Sequence, residues 1–334
     1  PPGELILLQC ALRLVRTRLS HHFFHIQQFR AEQMAPTMPP KAPTATPSIN
    51  QLLRLHCRER LVLHPVEWTH RHLELLECSF EQPIPEPASG YLYAQVPTEK
   101  QLQDNLDARY VRQLASRRGR GAGDFAWREA QLGRILASDE HFSIHYRAGI
   151  YFHFDDRSCN LPCILVGDCT GQRSNIPFAA CIDRFDIENQ RYDRVKAYRG
   201  VRQSEATSSL RSLQLRRLTP SNYCNDPYIL ALMIALAQGQ RAALESNNGA
   251  ERGFRPQVLM TSYKEKHIHL FTAEISSAFL KRLDVPCSTP LAQEPVLIQH
   301  ILVSLKPYAT FRRRIFQLLL RENIREAAHL DGDA

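Results

Sequence analysis

The clearest patterning lies between residues 226 and 329. Asp226 is placed to cap a helix whose first turn holds Pro227, and Tyr228–Ala237 is apolar on every side, which predicts a helix buried all round. Residues 245–256 then read as a polar loop. Val258–Tyr263 and His267–Ala273 have strand composition and flank the charged tip Lys264-Glu265-Lys266, as in a hairpin. Ile275–Leu283 predicts a short helix closed by Asp284-Val285-Pro286. Val296–Leu305 predicts another strand, and Tyr308–His329 a long amphipathic helix. The order helix, strand, strand, helix, strand, helix indicates an α+β or mixed α/β fold built around the buried helix.

A β-rich middle segment precedes this block. Helices are expected over 99–118, ending at Gly119, over 127–137, and over 204–218. His141–Phe154 suits a hairpin turning at Arg147-Ala148-Gly149, and Pro162–Asp168, Ile176–Phe185 and Tyr192–Tyr198 read as strands. A Leu- and His-rich helical stretch at 51–78 ends at a proline-rich break over 81–90, where the domain could divide. Residues 35–48 hold five prolines and read as an extended linker. Leu5, Leu8, Leu12, Val15, Leu19, His22, Ile26 and Phe29 form one helical stripe flanked by arginines, with no acid between Glu4 and Glu32. Such a segment has the composition of a mitochondrial leader, and it also suits translated sequence upstream of a start at Met34 or Met38. The expected organisation is an amphipathic segment at 1–33, a linker at 34–48, and one globular α+β domain at 49–330.

The stretch Asn225-Asp226-Pro227-Tyr228-Ile229-Leu230-Ala231-Leu232, with Val258-Leu259-Met260-Thr261, Phe271-Thr272-Ala273-Glu274-Ile275 and Phe279-Leu280, resembles an uncharacterised family of filamentous-fungal proteins. That family has no assigned activity. The resemblance therefore implies a source and no chemistry.

Charge changes the picture more than bulk composition does. The longest uncharged apolar stretch, Tyr228–Ala237, is far short of the roughly 20 residues that span a bilayer, so no integral membrane association is expected. The net charge of +8 is concentrated in two stretches. Residues 109–134 carry seven arginines against Asp124 and Glu129, and residues 184–217 carry nine bases against four acids. Such fields favour a polyanionic partner, either nucleic acid or an acidic protein surface. Arg117, Arg118, Arg120, Arg216 and Arg217 are the candidate anion contacts. Arginine outnumbers lysine 35 to 7 throughout, so internal pairing with nearby acids competes with that reading.

Nine cysteines with no CxxC and no secretory signal suit reduced thiols in an intracellular protein, cytoplasmic or nuclear, or mitochondrial if the leader is real. The set His153, Cys159, Cys163, Cys169 and Cys181 lacks a second close ligand pair, so no zinc site is expected there. His267 and His269 share a strand face, but a histidine pair without a third ligand reads as surface or hydrogen-bonded core. His64, His70 and His72 read the same way. No GxxxxGK[ST], GxSxG, HExxH, DFG or HRD occurs, which argues against the enzymes those motifs mark.

The best catalytic alternative is a set of strand-end carboxylates: Asp168, Asp183, Asp155 and Asp156. Acids converging from neighbouring strand ends can hold Mg²⁺ and activate water against a phosphodiester. The arrangement would be RNase H-like, with Glu205 added, or a degenerate PD-(D/E)XK-like site. For the latter the 258–263 strand lacks an acid, and Ser276 stands where a lysine is wanted. The expectation is thus a non-enzymatic binder of an anionic macromolecule with no cofactor, and the alternative is a Mg²⁺-dependent nuclease.

Overall fold

The computed structural model describes residues 47–57, 59, 62–87, 98–116, 122–137, 142–145, 149–168, 177–196, 204–245, 253–263, 265–289 and 295–330. Residues 98–105, 122, 168, 244–245 and 321–330 are described by backbone alone. Helices α1 (Ile49–Leu55) and α2 (His70–Leu75) lead into β1 (Cys78–Phe80) and β2 (Ile84–Pro85), followed by α3 (Thr98–Ser116) and α4 (Ala122–Leu136). Strands β3 (Phe142–His145), β4 (Ile150–Phe154), β5 (Arg157–Leu161), β6 (Ile164–Asp168) and β7 (Pro177–Asp183) form the middle. Then come α5 (Arg184–Lys196), α6 (Glu205–Leu218), α7 (Pro227–Glu245), β8 (Gly253–Phe254), β9 (Gln257–Thr261) and β10 (His267–Thr272). The described chain ends with β11 (Ile275–Ser276), α8 (Ser277–Asp284), β12 (Val296–Ser304) and α9 (Phe311–Leu330).

The main sheet runs β1-β12-β10-β9-β7-β6-β3. It is mixed: β7 and β9 are parallel, as is β12 with both β1 and β2, and the other neighbours are antiparallel. This is the α+β architecture expected from the patterning. Side-chain parity divides the core into two. Val258, Met260, Phe271, Ile182 and Ile298 face α7, α8 and the β4–β5 hairpin. Leu259, Leu270, Cys181, Val166 and Val303 face α3, α4 and α9. A sheet covered on both faces needs near-continuous apolar strands, and β9 is buried at all its positions.

Helix α7 has the predicted all-round burial, with Tyr228–Ala237 at most 1% exposed. Its start is fixed by Asp226, whose Oδ1 accepts the Tyr228 N–H at 3.0 Å. The same carboxylate receives two bonds from the buried Arg191 of α5, at 2.7 and 2.6 Å, and Arg191 Nε donates to Val66 O. Further along, the Gln238 amide brackets the His153 backbone with bonds of 3.0 and 2.8 Å and pins the hairpin onto the helix. Gly239 sits in this helix where a Cβ would meet only Ile150 Cδ1, at 3.9 Å. Gly239→Ala is therefore expected to raise stability by about 0.5–1 kcal/mol by removing backbone freedom from the unfolded chain. A lowered urea midpoint would show that the space is not there.

Three local readings are corrected. Residues 192–196 belong to helix α5, not to a strand: Ile187 and Arg191, four apart, are both buried. The apolar stripe is disguised because one of its members is an arginine. Strands β3 and β4 are not a hairpin, since β3 pairs with β6 and β4 turns through Asp155-Asp156 to pair with β5. The 51–78 stretch divides into two short helices with a 3₁₀ turn at Pro65–Glu67 between them. Beyond it, β1 and β2 run one after the other along the same edge of β12, where prolines 83 and 85 do least harm because no described strand pairs with the outer side.

Candidate functional site

The four proposed carboxylates do not converge. Ile164 lies opposite Cys181 and Gly167 opposite Pro177, so Asp168 and Asp183 close antiparallel neighbours at opposite strand ends. The run from Pro177 to Asp183 at about 3.3 Å per residue separates their Cα atoms by about 20 Å. One Mg²⁺ with ligand distances of about 2.0–2.1 Å cannot bridge that gap. Asp183 is also already saturated. Its carboxylate accepts Arg128 Nε at 2.7 Å and Nη2 at 2.8 Å, the Thr261 hydroxyl at 2.7 Å and the Phe185 N–H at 2.9 Å, with none of its surface exposed. Asp155 and Asp156 are exposed at the tip of the separate β4–β5 hairpin. Asp155 has φ 54°, a left-handed conformation that aspartate tolerates in turns, and its N–H donates to Leu283 O. The shared-metal nuclease site is therefore not assembled.

The arginine stretches are partly internal. Arg128 is paired with Asp183, Arg191 with Asp226, Arg184 with Glu188 at 2.9 Å and Arg194 with Glu67 at 3.4 Å. Arg117, Arg118 and Arg120 lie outside the described residues. Arg216 and Arg217 are exposed in the last turn of α6. That helix buries none of its residues. Ser204 caps its start by accepting the Thr207 N–H at 3.2 Å. Thr207, Arg211, Leu215 and Leu218 form a half-buried stripe, while Ala206, Leu210, Leu213 and Arg217 face outward. Leu210 and Leu213 are 57% and 56% exposed.

A third cluster was not expected from spacing. Cys224, in the 3₁₀ turn Tyr223–Asn225 before α7, meets His269 of β10 and His300 of β12, all three buried. His269 and His300 share the α7 side of the sheet because His300 is opposite Phe271, two residues from His269. His269 Nδ1 lies 2.9 Å from His300 Nε2 and 3.9 Å from Cys224 Sγ. Its other nitrogen, Nε2, contacts the Glu265 carboxylate, which also accepts the Tyr223 hydroxyl. The Arg184 guanidinium stacks 3.9 Å above the Tyr223 ring, and Phe271 stacks on His300 at 4.5 Å.

Electrostatics follow from those contacts. Burial opposes charge on His269, but the bonds to Cys224 and Glu265 and the Glu265 charge outweigh it and raise its pKa to about 9. Burial, and then the charge of His269, lowers His300 to about 4. Burial also opposes charge on Glu265, yet hydrogen bonds from His269 and Tyr223 hold its carboxyl below the usual range. By contrast, burial pushes the Cys163 and Cys181 thiols up, which suits inert core residues and not ligands. His153 and Cys159 lie on the β4–β5 hairpin, apart from any such cluster among the described residues. The missed signal was a single buried histidine on each of two largely apolar strands.

A cavity of about 410 Å³ lies at the other end of β10, lined by Gln257, Thr272, Glu274, Gln299 and Arg255 among others. Arg255 and Glu274 pair there at 3.5 Å, and no histidine or cysteine is among the described residues that line it. No helix among the described residues is long and apolar enough to cross a membrane. No protein-family model matches the chain, and no curated protein matches it.

Proposed function

We propose that this is a non-enzymatic binding protein that presents helix α6 to an acidic partner protein, in the reducing interior of the cell that its free buried cysteines suit. The observation that carries this reading is the outward stripe of α6, where Leu210 and Leu213 stand more than half exposed beside Arg216 and Arg217. A 14-residue helix is marginal by itself in water, and this one leaves leucines in solvent while none of its residues is fully buried. A partner groove with an apolar floor and an acidic rim would take both the leucines and the arginines.

Nucleic acid is favoured less. A phosphate-reading surface neutralises several phosphates at once, whereas Arg184, Arg191 and Arg194 of the same basic stretch already hold acids of this chain. Leucine side chains also gain little against a phosphate backbone.

The test is a selection of displayed peptides on the wild-type protein, counter-selected on Leu210→Glu, Leu213→Glu. Enriched peptides are expected to combine acidic and apolar residues and to lose binding on Arg216→Glu, Arg217→Glu. Enrichment that survives both double variants, or none at all, would remove the reading. A parallel titration of labelled single- and double-stranded DNA at two salt concentrations decides the other way. Binding that weakens steeply with salt and disappears in the Arg216, Arg217 variant would identify a polyanion surface instead.

A further inference from the structure

We propose that Cys224, His269 and His300 form a binding site for one zinc ion, with Glu265 orienting His269 from outside the coordination sphere. Two imidazole nitrogens 2.9 Å apart cannot both direct lone pairs at each other, so either the N–H hydrogen of one ring or a metal ion lies between them. The thiol favours the metal. Hydrogen bonds join these groups only pair by pair, while a single zinc ion engages thiolate and both imidazoles together, and all three donors converge here.

The spacing agrees. Tetrahedral zinc, with Zn–N about 2.05 Å and Zn–S about 2.3 Å, sets its ligand atoms about 3.3 Å apart for N and N and about 3.6 Å apart for N and S. The observed 2.9 and 3.9 Å each lie within about half an ångström of those values, and all three donor atoms fall within 4.8 Å of one another. The surroundings are those of a supported site. Zinc-bound histidine donates its far N–H to a carboxylate, and Glu265 holds His269 Nε2 in that way, itself held by the Tyr223 hydroxyl. The three donors come from a turn ahead of α7 and from two adjacent antiparallel strands, so their backbones are fixed by the sheet and by the most buried helix of the fold. They supply three of zinc's four positions, and the fourth falls to water or another small donor.

The experiment uses the full chain. Purified protein is equilibrated with zinc, dialysed, and its metal content read by mass spectrometry, and a second sample is loaded with cobalt as a spectroscopic substitute. Equimolar zinc and a thiolate-to-cobalt charge-transfer band are expected. Cys224→Ser should lose the band, and Cys224→Ser with His300→Gln should lose the metal. Glu265→Gln should weaken the affinity about 10- to 100-fold, and His267→Gln, exposed on the same strand, should change nothing. Absence of both zinc and the cobalt band in the wild-type protein would overturn the proposal and leave a proton between the histidines. Zinc retained by the double variant would overturn it too, by placing the metal elsewhere. A wild-type protein without zinc or the cobalt band decides against the site even where a buried variant fails to fold, and the single Cys224→Ser and Glu265→Gln variants locate the metal where the double variant does not fold.

Discussion

Asp183→Ala is expected to lower folding stability by about 3–5 kcal/mol, read as a fall in the urea midpoint without a change of slope. The cost comes from what is left behind. Arg128 is 1% exposed and meets the carboxylate through two parallel bonds, so the alanine variant buries a guanidinium without that counter-charge. Two smaller losses add to it: the Thr261 hydroxyl loses its acceptor, and α5 loses the group that caps the Phe185 N–H. Removing both charges separates these contributions. Arg128→Met with Asp183→Leu should recover most of the loss and leave about 1–3 kcal/mol for the cap and the hydroxyl together. The experiment also decides between a structural and a catalytic aspartate. A catalytic Asp183 would tolerate replacement by asparagine with little loss of stability. The bonding described above requires Asp183→Asn to unfold at clearly lower denaturant, because a neutral amide no longer balances Arg128. An Asp183→Asn variant as stable as the wild type would contradict that account.

This residue shows where sequence reasoning reached and where it stopped. An acid at a strand's end is legible, and Asp183 does end β7. What it does there depends on Arg128, 55 positions away on α4, and on Thr261, opposite it on β9. Neither is visible before the sheet order is known. Elements whose pattern is self-sufficient were legible: the uniformly apolar α7 with its Asp-Pro start, the adjacent strands β9 and β10, and the terminal α9. Elements whose inward positions hold polar groups were not. Helix α5 hides its period behind the buried Arg191, whose partner Asp226 is 35 residues on. The Cys224–His269–His300 cluster has no short spacing at all, because its members come from one turn and two strands brought together only by antiparallel pairing. Two histidines at inward positions of apolar strands carried a trace of it. Turning that trace into a pair required the register that places His300 opposite Phe271.

Two leucine-to-alanine changes of identical chemistry should differ by a factor of several in cost. Leu232→Ala in α7 is expected to lose about 3 kcal/mol, within the 2–5 kcal/mol that buried leucines cost through lost transfer energy and a cavity. Leu232 is fully buried on a helix packed against β4, β7, β9 and α8, and a helix enclosed on every side cannot collapse into the space. Leu213→Ala in α6 should stay within about 0.5 kcal/mol of the wild type, because its side chain is 56% exposed and alanine is the better helix former. Urea unfolding of both variants, side by side, reads the contrast directly. The pair matters for function as much as for stability. A leucine that folding does not use, set beside a second leucine and two exposed arginines, is what the proposed docking face requires. If Leu213→Ala instead cost as much as Leu232→Ala, the outward stripe of α6 would be part of the core, and its role as a docking face would fail with it.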